Sequence, residues 1–290
     1  YELKERWAKA TGLLNMKMGA LTPNMKTLTK TANQWRGTMR GLTDDFELGA
    51  ALFTEYAATL ETTGKHVKEF SKINLVLARG FNLGGKGAGD LTQAFRLMGT
   101  DAKTATTQMA QLSVDAEILG VNTQSLVADL ADSGDYMVRF GKAGTKSLIQ
   151  SAVFLKQFNI GLKDTNALMD TFDRFDSATE STARLNTIFG TTISSMDMLL
   201  SQDPAERIEK VRQGLLAQGK TFEKLSYFER RSLTETLNLG EKEVAFLLDS
   251  SKAHMSLADF RDKAAKKEVT HQQAQKKMQK QLQKTAQTLF

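Results

Sequence analysis

The chain has 290 residues, 41% of them hydrophobic, with two prolines, no cysteine and a net charge of +6. That apolar content suffices for one good core or two small ones. The lack of cysteine excludes a disulfide framework and every thiolate metal site. His66, His254 and His271 lie far apart in sequence, which argues against a histidine-rich zinc site.

No apolar run approaches the roughly 18 residues of a membrane span. The opening Tyr1-Glu2-Leu3-Lys4 leads into no apolar stretch of a secretory signal. Without an initiator Met, the chain reads as a piece of something longer or as a processed product. Charge is arranged in blocks: residues 1–40 and 261–290 each carry +6, and residues 41–260 carry −6. Blocks of this kind mark basic arms around a folded domain. The expected organisation is a basic helical arm over 1–40, a glycine-punctuated helical domain over 41–255, and a basic coiled-coil-like helix over 256–290.

In the first arm, Leu3, Trp7, Ala10, Leu14, Lys17 and Leu21 keep a coiled-coil stride until Pro23 interrupts it. The centre is punctuated by Gly80, Gly99, Gly120, Gly141, Gly161, Gly190, Gly219 and Gly240. Each is expected to stop a helix, because glycine takes the left-handed cap without steric cost.

Gly84-Gly85-Lys86-Gly87-Ala88-Gly89 is the one glycine-rich stretch. Its backbone N–H groups could cradle a phosphate, but no Gly-Lys-Ser/Thr closes it as a Walker A. Gly84 to Gly87 fits a GxxG clamp, which belongs to a stranded fold. A flexible loop between two helices is the expected state.

Asp170, Asp173 and Asp176 step by three, as a cation site on one helix face would. No EF-hand glycine or closing glutamate follows, so a charged face or helix caps is expected. Glu180-Ser181 is the dipeptide of lysozyme-like transglycosylases, without the surroundings that chemistry needs. No nucleophile elbow, His-Glu-x-x-His or dinucleotide fingerprint occurs. Catalytic, metal and cofactor residues are therefore expected to be none.

Helix starts are as legible as stops. Asp203-Pro204-Ala205-Glu206 combines an N-cap, a proline at the first helical position and a capping-box acid. Ser226-Tyr227-Phe228-Glu229 repeats the box, and Ser256-Leu257-Ala258-Asp259 is a weaker form. Between these marks the apolar spacing is helical: Ile208, Val211, Leu215 and Leu216; Val244, Leu247 and Leu248; Leu148, Ala152 and Leu155. Nothing alternates with period 2. The fold class expected is all-α, a compact multi-helix centre with extended or coiled-coil-like terminal helices.

The segment from Ser256 to Phe290 has neither glycine nor proline and is rich in helix formers. Met278, Leu282, Thr285 and Leu289 step by 4, 3 and 4, and Gln275 extends the row backward, giving a thin, partly polar candidate oligomer seam. Such a helix is marginal alone in water and needs a partner. A faint echo at roughly 41 residues relates Met98-Gly99, Leu119-Gly120, Asp129 and Asp132 to Phe140-Gly141, Ile160-Gly161, Asp170 and Asp173.

From about Phe81 to Ser251 an ordered series of motifs stands out. It begins with Leu91-x-x-Ala94-Phe95-x-x-Met98-Gly99-Thr100-x-Ala102-x-x-Ala105, then Leu119-Gly120-Val121 and Phe140-Gly141-Lys142. Thr171-Phe172-Asp173-x-Phe175-Asp176, Ala183-Arg184-Leu185-Asn186-x-x-Phe189-Gly190 and Ser195-Met196-Asp197-Met198-Leu199 follow. Asp203-Pro204-Ala205-Glu206-Arg207, Phe228-Glu229-Arg230-Arg231 and Leu237-x-Leu239-Gly240 close it. In order and spacing this resembles a domain of bacteriophage tail tape measure proteins.

The resemblance implies a virion protein of the phage tail that sets tube length, is held at the baseplate or tail tip, and leaves with the DNA. It implies copies of itself, often three, as partners, together with tail-tube and tail-tip proteins and the phage DNA end. Two departures matter: the family's chains are usually much longer, and many carry membrane-like apolar segments absent here. One continuous helix of this length would span roughly 435 Å, and the glycine-punctuated centre cannot be that rod. The other classes open to the sequence are a non-viral helical adaptor or scaffold, and an enzyme or nucleic-acid module built on Gly84–Gly89.

Overall fold

The computed structural model describes residue 70 and residues 73–287, with side chains as far as residue 281. The expected N-terminal arm lies outside the described residues. So do Leu289 and the side chains of Leu282 and Thr285.

Every regular element among the described residues is helical, and none is a strand. After a short π-helical stretch, Val76–Gly80, thirteen α-helices follow in chain order. They are α1 Gly84–Leu97, α2 Ala102–Leu119, α3 Thr123–Asp132, α4 Gly134–Val138, α5 Gly141–Lys156, α6 Asn166–Phe172 and α7 Phe175–Phe189. Then come α8 Ser195–Leu200, α9 Pro204–Ala217, α10 Tyr227–Leu237, α11 Glu241–Leu247, α12 Leu257–Lys266 and α13 His271–Gln287.

The chain divides into two compact units. The first holds the described residues up to Gln111, Thr123–Lys142 and those from Val269 onward; the second holds Leu112–Asn122 and Ala143–Glu268.

In the first unit α1 packs against α3 and α4, and the π-helical stretch packs against α1 and α13. Leu91, Phe95, Leu126, Val127, Leu130 and Met137 fill the core. In the second unit α5 buries five consecutive residues, Ser151 to Leu155, so its last turns are surrounded on all sides. Phe154 meets Phe158 edge-on at 5.4 Å and stacks on Phe260 at 6.2 Å between ring centroids. Ile208, Val211, Leu233, Leu237, Val244 and Leu247 complete that core. Each such side chain contributes about 1.5–3 kcal/mol when fully buried.

The helix ends follow the expected chemistry with three exceptions. Gly99, Gly120, Gly141, Gly190 and Gly219 take positive φ, as expected. Gly161, Gly240 and Gly80 do not. The left-handed positions near them belong to Asn159, Asn238 and Asn82, the commonest non-glycine residue to tolerate that region. Asn238 is the C-cap of α10, and Gly240 instead becomes the N-cap of α11. At Gly80 the approach is close: a Cβ there would lie 3.2 Å from Gln281 Cγ, and Gln281 Nε2 donates to Gly80 O at 2.9 Å.

The C-terminal segment is two helices rather than one. The chain leaves helical conformation after Lys266 and restarts at His271. Thr270 N–H donates to Gln273 Oε1 at 2.9 Å, and Gln273 N–H lies 3.4 Å from Thr270 Oγ1. That is a capping box of the Thr-x-x-Gln kind. Val269 is buried and its N–H donates to Gln111 Oε1 at 2.7 Å, anchoring the break.

At Asn238 the backbone sets the expected outcome. Replacing it with Ala should destabilise the protein by about 1 kcal/mol, whereas Asn238→Gly should be near neutral. Urea denaturation of the two variants checks this. If Gly costs as much as Ala, the Asn238 hydrogen bond to Thr171 Oγ1 matters more than the conformation.

Candidate functional site

The densest polar constellation among the described residues is built on α9, in the second unit. At its start the Asp203 carboxylate caps the helix, with Oδ1 accepting from Ala205 N–H at 2.9 Å and Glu206 N–H at 3.3 Å. The same oxygen lies 2.6 Å from Ser151 Oγ. Its Oδ2 accepts from Ser147 Oγ at 2.6 Å and Arg261 Nη2 at 2.6 Å. One carboxylate thus joins α5, α9 and α12.

The spacing from Asp203 predicts that Glu206 closes a capping box. It turns outward instead, accepting from Arg261 Nη1 at 2.6 Å and Ser201 Oγ at 3.0 Å. Arg261 draws it away because its guanidinium can serve two carboxylates at once. Burial works against the Glu206 charge, but Arg261 and Ser201 outweigh it and hold the carboxyl below its usual range.

Farther along α9 two guanidiniums are buried, each 1% exposed. Arg207 donates to Met198 O at 3.0 Å, Met169 O at 2.9 Å and Asp173 Oδ1 at 2.7 Å. Arg212 donates to Leu247 O at 3.1 Å, Met255 O at 2.9 Å, Glu209 Oε2 at 3.0 Å and Lys252 O. It also lies 4.9 Å from the Phe158 ring centroid. Burial pushes the Glu209 carboxyl up, opposed by the neighbouring Arg212 charge. From the sequence this helix shows its start signals and its apolar row. No local signal distinguishes Arg207 or Arg212 from a surface arginine.

The arrangement clamps rather than reacts. Asp203 accepts five hydrogen bonds, which leaves no lone pair aimed at a substrate. The guanidiniums spend their donors on carbonyls of α6, α8, α11 and the segment before α12.

The other candidates fall elsewhere. Gly84–Gly89 is no flexible loop: it forms the opening turns of α1, with Gly85, Ala88 and Gly89 buried and Lys86 exposed against Asp90 at 3.1 Å. Gly85, Ala88 and Gly89, spaced by three and four, lie on the buried side of the helix. Asp170, Asp173 and Asp176 do not share a helix: Asp170 is on α6, Asp173 is its C-cap and Asp176 is in the first turn of α7. No group of three or more His, Asp or Glu able to hold a metal occurs among the described residues. Glu180 is exposed on α7 and pairs with Arg184 at 3.5 Å. On α13, Met278 is buried and Gln275 exposed. No described helix is long and apolar enough to cross a membrane.

The Ser226–Glu229 capping box forms in full, and Lys220 Nζ reaches Glu229 at 2.6 Å. Those contacts, Lys220 first and the Ser226 N–H next, hold the Glu229 carboxyl down to about 2. Compared with known protein families, curated proteins and solved structures, the chain finds no match.

Two outcomes follow from these networks. Asp203→Ala should cost about 3 kcal/mol, combining a lost cap with stranded donors. Asp203→Asn keeps the cap and should cost about half as much. Equal losses in urea denaturation would show that the ionic contact to Arg261 carries the whole effect. For Glu229 the folded value lies below the ordinary 4.5. Its stabilisation is therefore complete above pH 4.5 and is lost as pH falls through about 2. Glu229→Gln should flatten that part of the acid-unfolding curve, and curves of equal steepness in the two proteins would contradict the assignment.

Proposed function

We propose that this chain is a segment of a bacteriophage tail tape measure protein, a structural virion component rather than an enzyme. The observation that carries the reading is the ordered run of motifs from Leu91 to Gly240, at spacings that resemble that family. The all-helical character of the described residues is compatible with it. In this reading the protein sets tube length, is held at the baseplate or tail tip, and leaves with the DNA.

Residues 84–266 fold as short packed helices, not as one continuous rod. A ruler threading a tube lumen has little room for such a body, so this segment belongs at a tail end in our reading. The expected partners are further copies of the chain, three in the simplest arrangement, with tail-tube and tail-tip proteins around them.

A non-viral helical adaptor is the second reading. It is favoured by Tyr227 and Phe228, adjacent aromatics that are 78% and 66% exposed at the start of α10. Exposed aromatic pairs are commoner at docking surfaces than on bare ones.

Mass spectrometry of purified tailed particles from the source separates the two. Peptides of this sequence should be recovered from intact tails at a few copies per particle, and an in-frame shortening of the parent gene should shorten the tail. Absence from the particles, with recovery of the chain in a cellular complex, would favour the adaptor.

A further inference from the structure

The outward face of α13 is a charged surface that the networks above leave unused. From His271 to Gln287 the helix has no acidic residue and carries Lys276, Lys277, Lys280 and Lys284. Lys276 and Lys280 are exposed and Lys277 half-buried. None of these three forms an ion pair with a described residue. Gln272, Gln273, Gln275 and Gln279 fill the rest of the exposed surface.

The opposite face is already occupied by the chain itself. Ala274 and Met278 are 0% and 4% exposed. Gln281 donates to Gly80 O, and the His271 ring lies 3.1 Å from Thr107 Oγ1. Lys103, one turn before Thr107 on α2, is exposed and adds to the same charge. Asp101, just before α2, is 3.8 Å from Lys142.

We propose that this face binds the phosphate backbone of nucleic acid without regard to sequence. Lysines supply the charge, and glutamine amides supply hydrogen-bond donors that reach phosphate and sugar oxygens. Lys276 and Lys280 stand four residues apart, about 6 Å along the axis, and Lys284 continues the row in sequence. The chemistry argues against a lipid surface. An amphipathic helix binds a membrane by inserting its apolar side, and that side of α13 is spent on the protein core. It also argues against a peptide groove, which needs apolar anchors. Leu97 is the one large exposed apolar side chain of the first unit among the described residues. The inference stands whether or not the tape measure reading holds.

The test uses the full chain and a short fluorescent DNA duplex of arbitrary sequence, with anisotropy read between about 50 and 200 mM salt. Lys276→Gln/Lys280→Gln retains good helix formers, and circular dichroism checks that the fold is kept. The double variant should bind at least about tenfold more weakly at low salt and lose about two units of salt slope. A charge-matched control, Lys263→Gln/Lys266→Gln on α12, should bind like the parent. The proposal is overturned if the parent fails to bind the duplex at low salt. It is equally overturned if the α13 variant binds as the parent does, or if the α12 control weakens binding as much. Lysine-dependent binding to phosphatidylserine vesicles without duplex binding would assign the face to a membrane and refute it as well.

Discussion

A guanidinium keeps its charge at any ordinary pH, so one that is buried must be given acceptors or the fold that buries it is lost. Helix α9 imposes this condition twice. Arg207 is satisfied by carbonyls from α6 and α8 and by Asp173. Arg212 is satisfied by the end of α11, the segment before α12 and Glu209. Most of these acceptors are backbone carbonyls in or beside short helices packed around α9. Asp203 completes the arrangement from the other side, fixing α5 and α12 to the first turn of the same helix.

Such clamps favour one geometry over its neighbours more than they add net stability, since burying charge is itself costly. Glu209 illustrates the tension: it partners Arg212, yet burial pushes its carboxyl upward. Hydrophobic packing around Phe154, Phe158 and Phe260 supplies the apolar part of the same core. These contacts make α9 the helix that ties α5, α6, α8, α11 and α12 together in the second unit.

Helix α13 shows how tertiary packing changes the meaning of a pattern. Its apolar spacing suggests a seam for self-association, and Met278 is the first apolar residue of that row. Yet Met278 and Ala274 are covered by the chain's own first unit. The side left to solvent is the lysine and glutamine side. Only the fold could assign inside and outside here, because a helix with one thin apolar stripe will use it on whichever surface is available, its own or a partner's.

The sequence by itself determined the local structure. Proline, capping boxes and glycine specify where helices begin and end through contacts within a few residues, so Asp203, Ser226, Gly99 and Gly190 are readable without neighbours. The Thr270–Gln273 box was equally present and breaks the C-terminal segment for the same reason. Where asparagine and glycine stand two residues apart, as at Asn159–Gly161 and Asn238–Gly240, local rules allow either to take the left-handed position. Tertiary structure decided the rest: that Gly84–Gly89 is helix rather than loop, that Glu206 serves Arg261 instead of its own helix, and that Arg207 and Arg212 lie inside. Those outcomes depend on groups dozens of residues away, and no spacing along one helix records which distant carbonyls will surround it.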